Sequence, residues 1–136
     1  MTNRDDIFSL AVWRMEKAEN ELRKAKLYLE IKEYDDVIVK AYYAVFHAMQ
    51  AINALKVTDT QTHKGTGILF RESYVKTGLI ENDASTFISK LQRLRERADY
   101  EDYYSVTQDK AKEAFEKADY LVGKIKELLQ QELELL

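Results

Sequence analysis

The 136-residue chain has no proline and only four glycines, three of which (Gly65, Gly67 and Gly78) fall in one central stretch. Proline removes a backbone donor and glycine adds conformational freedom, so each disfavours a helix interior. The segments on either side of the central stretch carry a single breaker, Gly123. They read as long helices.

Apolar residues recur at steps of three and four, which puts them on one helical face. The first helix is predicted over residues 5–32, with the stripe Ile7, Ala11, Met15, Ala18, Leu22, Ala25 and Leu29. The second is predicted over residues 36–56, with Ile38, Ala41, Val45, Ala48, Ile52 and Leu55, and Asp35 as its cap. The short connection at Glu33 and Tyr34 implies an antiparallel hairpin between the two. A turn at residues 57–61 leads to a shorter helix over 62–76 that stops at Thr77-Gly78. The fourth helix is predicted over residues 83–100 on Ala84, Phe87, Leu91, Leu94 and Ala98. The last is predicted over 107–133, where Ala114, Leu121 and Leu128 widen the stripe of Ala111, Phe115, Ala118, Val122, Ile125 and Leu129. A stripe that wide implies burial against more than one neighbour, or a subunit interface. No segment alternates over strand length. The expectation is an all-α fold, an antiparallel up-and-down bundle of four long helices plus one short helix, forming a single domain over residues 1–136.

Composition narrows the chemistry. With 46% hydrophobic and 33% charged residues the chain is of the globular type. It has no cysteine, which excludes disulfides, thiolate metal sites and cysteine nucleophiles. No apolar run approaches the ~20 residues that span a bilayer. Met1 to Asp6 is polar and has no signal-peptide core, so a cytoplasmic location is expected and no membrane partner. A formal net charge of -3 lacks the basic field of a duplex-DNA binder.

Gly-rich phosphate loops, HExxH pairs and nucleophile elbows are all missing. His47 and His63 are the only histidines, and their spacing gives no metal site and implies no cofactor. Three places could carry chemistry. On the second helix Lys40, Tyr43, His47, Gln50 and Asn53 follow one another off the core stripe. That line is either a polar face for a nucleotide, RNA or partner subunit, or an edge where Tyr43 packs and His47 hydrogen-bonds. At the end of the fourth helix Arg93 and Arg97 share a face with Tyr100 or Glu101, while Arg95 points away toward Asp99. Tyr100, Tyr103 and Tyr104 gather at the same polar turn. Phenol rings offer a flat face to a base and guanidinium groups suit a phosphate. The alternative is a salt-bridged helix end with tyrosines packed over it. Finally, His63-Lys64-Gly65 stands at a helix N-terminus, where backbone amides favour an anion.

The second helix carries Ala41-Tyr-Tyr-Ala-Val-Phe-His47-Ala. His63-Lys64-Gly65 and Val75-Lys76-Thr77-Gly78 follow, then Arg97-Ala98-Asp99-Tyr100, then the Ala-rich last helix from Ala111 to Leu129. Taken in order, these segments resemble the HEPN superfamily (higher eukaryotes and prokaryotes nucleotide-binding). The resemblance runs over nearly the whole chain. It implies a dimeric helical bundle that works on nucleotides or RNA, often beside a minimal nucleotidyltransferase in a toxin–antitoxin pair. In the ribonuclease members an Arg is followed, after four to six intervening residues, by a His. The Arg steadies phosphate charge and the His moves a proton.

Arg97 stands in the place of that Arg, but residues 102–104 are Asp102, Tyr103 and Tyr104, and no histidine follows Arg97. The resemblance therefore carries over Arg97, with His47 or His63 as the only imidazoles able to serve it from elsewhere in the fold. The candidate nucleotide- or RNA-binding residues are Arg93, Arg97, Asp99, Tyr100, Tyr103, Tyr104, Tyr43 and Lys64. The resemblance also implies that Tyr104 holds the place of a tyrosine that receives a nucleotidyl group in some members. Two functions fit: a nucleotide- or RNA-binding regulator, or an endoribonuclease with an altered site. A purely structural, dimerising bundle is the third reading.

Overall fold

The computed structural model describes residues 4–56 and 58–135; Met1 to Asn3, Val57 in the predicted turn, and Leu136 lie outside them. The described residues form an all-α fold with five helices: α1 (Arg4–Glu30), α2 (Tyr34–Asn53), α3 (His63–Phe70), α4 (Asp83–Tyr100) and α5 (Gln108–Glu134). A π-helical turn, Arg71–Val75, extends α3.

The central element is α2. Of its 20 residues 13 are buried, so it has no solvated face of any width. It packs against each of the other four helices. The predicted core positions Ile38, Ala41, Val45, Ala48 and Ile52 are all buried, and truncating Ile38 or Ile52 to Ala would cost about 2–5 kcal/mol. The polar line predicted on α2 is corrected at its far end. Gln50 and Asn53 are buried, and Asn53 Nδ2 donates to the Thr66 carbonyl at 3.1 Å, which ties α2 to α3. The width of the α5 stripe is explained within the chain, because α5 packs on α2, α1 and α4.

α1 and α5 run antiparallel, with Lys126 Nζ 3.2 Å from the Glu19 carboxylate. α1 stops two residues earlier than predicted. Lys32 takes a left-handed φ of 65° and Glu33 N–H donates to the Tyr28 carbonyl at 2.9 Å. This is the helix stop usually made by glycine. Asp35 does not cap α2: the cap position is Glu33, with no side-chain hydrogen bond. Asp35 Oδ1 instead accepts from Val106 N–H at 3.1 Å, fastening the start of α2 to the loop before α5.

α3 opens with Thr62, whose hydroxyl accepts from Gly65 N–H at 3.0 Å. A Cβ at Gly65 would stand 2.6 Å from both Thr60 Cγ2 and Thr62 Oγ1, so only glycine lets this loop close over the helix. The turn that follows the π segment carries Gly78, with φ 82°, whose N–H donates to the Val75 carbonyl at 3.0 Å. Arg71, in the π segment, donates to Ser85 Oγ at 2.8 Å and Ser89 Oγ at 3.0 Å, which holds α4 in place.

Candidate functional site

α4 carries Arg93, Arg95 and Arg97 at alternate positions. Side chains two residues apart on a helix diverge by about 200°. Arg95 therefore faces α2 and Arg97 faces solvent. The predicted site is divided between those two sides.

On the outer side, Arg97 Nε donates to Glu101 Oε2 at 2.9 Å. The Arg97 guanidinium carbon lies 4.2 Å from the Tyr104 ring centroid, a cation–π contact. The Glu101 hydrogen bond is the main cause that raises the Arg97 pKa, so the group is always cationic. Arg93, Arg97 and Tyr100, together with Glu96 and Glu101, line a shallow hollow of about 560 Å³. Tyr103 follows with φ 63° and a fully exposed ring. Left-handed backbone costs a bulky L residue about 1–2 kcal/mol, and here it presents an aromatic to water. The Tyr104 hydroxyl, by contrast, is buried without a hydrogen-bond partner.

On the inner side, α2 and the start of α3 bring rings together. His63 stacks on Phe46, with centroids 4.2 Å apart and planes 9° apart. The Tyr42 hydroxyl lies 2.6 Å from His63 Nδ1. The Arg95 guanidinium covers this cluster at 4.9 Å from the Tyr42 ring and 5.4 Å from the Tyr43 ring. Arg95 Nε lies 3.4 Å from Asp99 Oδ2, an ion-pair contact without hydrogen-bond geometry. Burial, then the charge of Arg95, lowers the pKa of His63, so its imidazole is neutral at pH 7. Burial opposes ionisation of Tyr42 more than Arg95 favours it, and the phenol stays protonated. His47 sits deeper; burial and then Lys17 lower its pKa, and its Nδ1 is buried without a partner.

Among the predicted residues, then, Arg93, Arg97, Tyr100 and Tyr104 come together, with Tyr103 beside them in the chain. Tyr43, His47 and His63 form the second group, which Asp99 joins through Arg95. Lys64 is exposed in the first turn of α3. The contacts of Arg97 are with Glu101 and Tyr104, not with an imidazole. Sequence reasoning missed Tyr42, Phe46 and the inward role of Arg95. The i,i+4 pair Tyr42 and Phe46 within Tyr-Tyr-Ala-Val-Phe-His was the available signal. No three His, Asp or Glu side chains gather into a metal-binding group among the described residues, and no described helix is long and apolar enough to cross a membrane.

An all-α helical bundle is the architecture the sequence resemblance implied. The family model for the HEPN domain matches residues 11–128, and the chain belongs to that family. It is 34% identical over 117 residues to a Methanocaldococcus jannaschii protein named as a candidate toxin, covering 86% of this chain and 87% of that one. It is 36% identical over 113 residues to a UPF0332 protein of Archaeoglobus fulgidus, covering 83% and 90%. A UPF0332 protein of Thermotoga maritima is 25% identical over 118 residues, covering 87% and 89%.

Proposed function

We propose that this HEPN protein binds RNA single strands, or a nucleotide, through the outer side of α4. The observation that carries this reading is Tyr103: an exposed aromatic on left-handed backbone, next to the Arg97–Tyr104 pair and the Arg93–Tyr100 hollow. Aromatic rings beside guanidinium groups stack bases and meet phosphates, and stacking contributes about 1–3 kcal/mol per base. In this reading the protein is a cytoplasmic homodimer that regulates, or is regulated by, a minimal nucleotidyltransferase in a toxin–antitoxin-like pair. The names of its relatives as candidate toxins favour that setting. Tyr104 is left out as a nucleotidyl acceptor because its hydroxyl is buried. The test is fluorescence anisotropy of a labelled single-stranded RNA with the wild type and Arg97→Ala. Tight, salt-sensitive binding that Arg97→Ala weakens supports the reading. Absence of binding to RNA and to mononucleotides removes it.

A second reading, a metal-independent ribonuclease, is favoured by the inner cluster. A neutral His63 hydrogen-bonded to Tyr42 beside the Arg95 guanidinium has the parts for moving a proton next to a phosphate. Cleavage of a labelled RNA pool that survives Arg97→Ala but is lost in His63→Gln would support it. An RNA pool left intact by the folded wild type would refute it.

A further inference from the structure

The loop after the π turn, the first two turns of α4 and the middle of α5 enclose a groove of about 510 Å³. That is the size of a small-molecule site. Its floor is apolar. Ile80, Ala84 and Leu121 are buried, Phe87 is partly buried, and Leu79 stands exposed at the rim. None of these residues belongs to the surface around Arg97.

The two ends of the groove carry opposite charge. At one end Lys90 and Lys117 share a single carboxylate, Glu113, at 3.6 and 2.9 Å. Hydrogen bonding and attraction from Lys117, then attraction from Lys90, hold the Glu113 carboxyl below its usual pKa, so Glu113 is ionised at pH 7. Two ammonium groups against one carboxylate leave one positive charge in excess. At the other end stand Glu81 and Asp83. Glu81 Oε1 accepts from the Tyr120 hydroxyl at 2.7 Å. Lys124 Nζ lies 5.7 Å from the Tyr120 ring centroid and has no carboxylate within 4.0 Å among the described residues. Lys117 and Lys124 are two turns apart on α5, so the ends are separated by about 10 Å.

We propose that this groove binds a small amphipathic monoanion, an acyl or aryl carboxylate. Its apolar body lies on Ala84, Phe87 and Leu121, and its acid group meets Lys90 and Lys117. A neutral ligand leaves the excess charge unanswered. A cation is repelled at the lysine end, and a diacid places its second carboxylate where Glu81 and Asp83 outnumber the single ammonium of Lys124 and leave negative charge in excess. The inference does not depend on the RNA reading.

The test uses 8-anilinonaphthalene-1-sulfonate as the fluorescent probe and octanoate, 1-octanol and suberate as competitors. Octanoate is expected to displace the probe well, and 1-octanol and suberate poorly. Lys90→Glu/Lys117→Glu, a change at two half-exposed side chains, is expected to weaken probe binding about tenfold or more. Circular dichroism checks that the variant is folded. Amide chemical shifts of the wild type supply a second measurement. Octanoate should move Ala84, Phe87 and Leu121 while leaving Arg97 and Tyr104 in place. Probe binding that ignores the charge reversal, equal displacement by 1-octanol, or shifts that miss the groove would each overturn the proposal. RNA binding by the same variant should be unchanged.

Discussion

Arg95 and Arg97 stand two residues apart on α4 and hold different rings. Arg95 covers Tyr42 and Tyr43 on the inner side, and Arg97 covers Tyr104 on the outer side. Their exposures differ accordingly, 18% for the Arg95 side chain against 49% for Arg97. Arg95→Ala should therefore lower stability by roughly 1–2 kcal/mol, through loss of two cation–π contacts and the half-buried Asp99 pair. Arg97→Ala should leave the urea midpoint unchanged. Equal midpoints for the two variants would contradict the division of α4 into a packed and a free side.

His63 supplies a pH test. Its folded-state pKa is lowered from the ordinary 6.5, first by burial and then by Arg95. A base with a lowered folded pKa binds protons more readily when unfolded. The stabilising contribution of neutral His63 is then fully present above pH ~6.5 and is lost as pH falls toward the lowered value. His47 acts in the same direction, again through burial first. NMR titration should find both imidazoles below the ordinary value. Arg95→Gln should raise the His63 pKa and leave that of His47 nearly unmoved. A His63 pKa indifferent to Arg95 would mean that the two groups do not face each other in solution.

Two left-handed positions should respond in opposite ways. Lys32 has φ 65° and stands where glycine is favoured; Lys32→Gly should stabilise the protein by about 1 kcal/mol. Gly78 has φ 82°, so Gly78→Ala should destabilise by a similar amount even though a Cβ there meets nothing within 4 Å. Thermal unfolding of the pair checks this. A loss of stability in Lys32→Gly would be inconsistent with the α1 stop described above.

Arg14 is a buried cation that joins three segments. Its Nη1 donates to the Gln50 carbonyl at 2.9 Å and to Asp59 Oδ2 at 2.8 Å. Removing one member of such a pair leaves a partly buried charge and an unpaired carbonyl. Arg14→Ala should cost about 3 kcal/mol, and Arg14→Ala/Asp59→Ala should cost less than the sum of the single changes. Strict additivity in the double-mutant cycle would show that the pair does not form.

The helices were legible because their apolar stripes repeat at helical spacing with no proline and few glycines to interrupt them. The α4 bounds, residues 83–100, are as predicted. The end of α1 was not legible, because lysine fills a position whose usual marker is glycine. Asp35 looked like a cap because acidic residues favour helix N-termini, but Val106 N–H from a distant loop claims its carboxylate. The pairs Arg95–Asp99 and Arg97–Glu101 could be read from i,i+4 spacing, since both partners lie on one helix. The Tyr42–His63 contact could not, since it joins residues 21 apart through the packing of α3 on α2. The exposure of Tyr103 was likewise hidden, as it follows from a backbone angle that composition does not encode.

The most direct test of the RNA reading uses Tyr103→Gly. Glycine relieves the left-handed backbone, so the variant should be more stable than the wild type by about 1 kcal/mol. It also removes the exposed ring, so the same protein should bind labelled single-stranded RNA about tenfold more weakly by fluorescence anisotropy. Higher stability with weaker binding is the predicted result. A more stable variant that binds RNA as tightly as the wild type would contradict the claim that Tyr103 is held in place to meet a base.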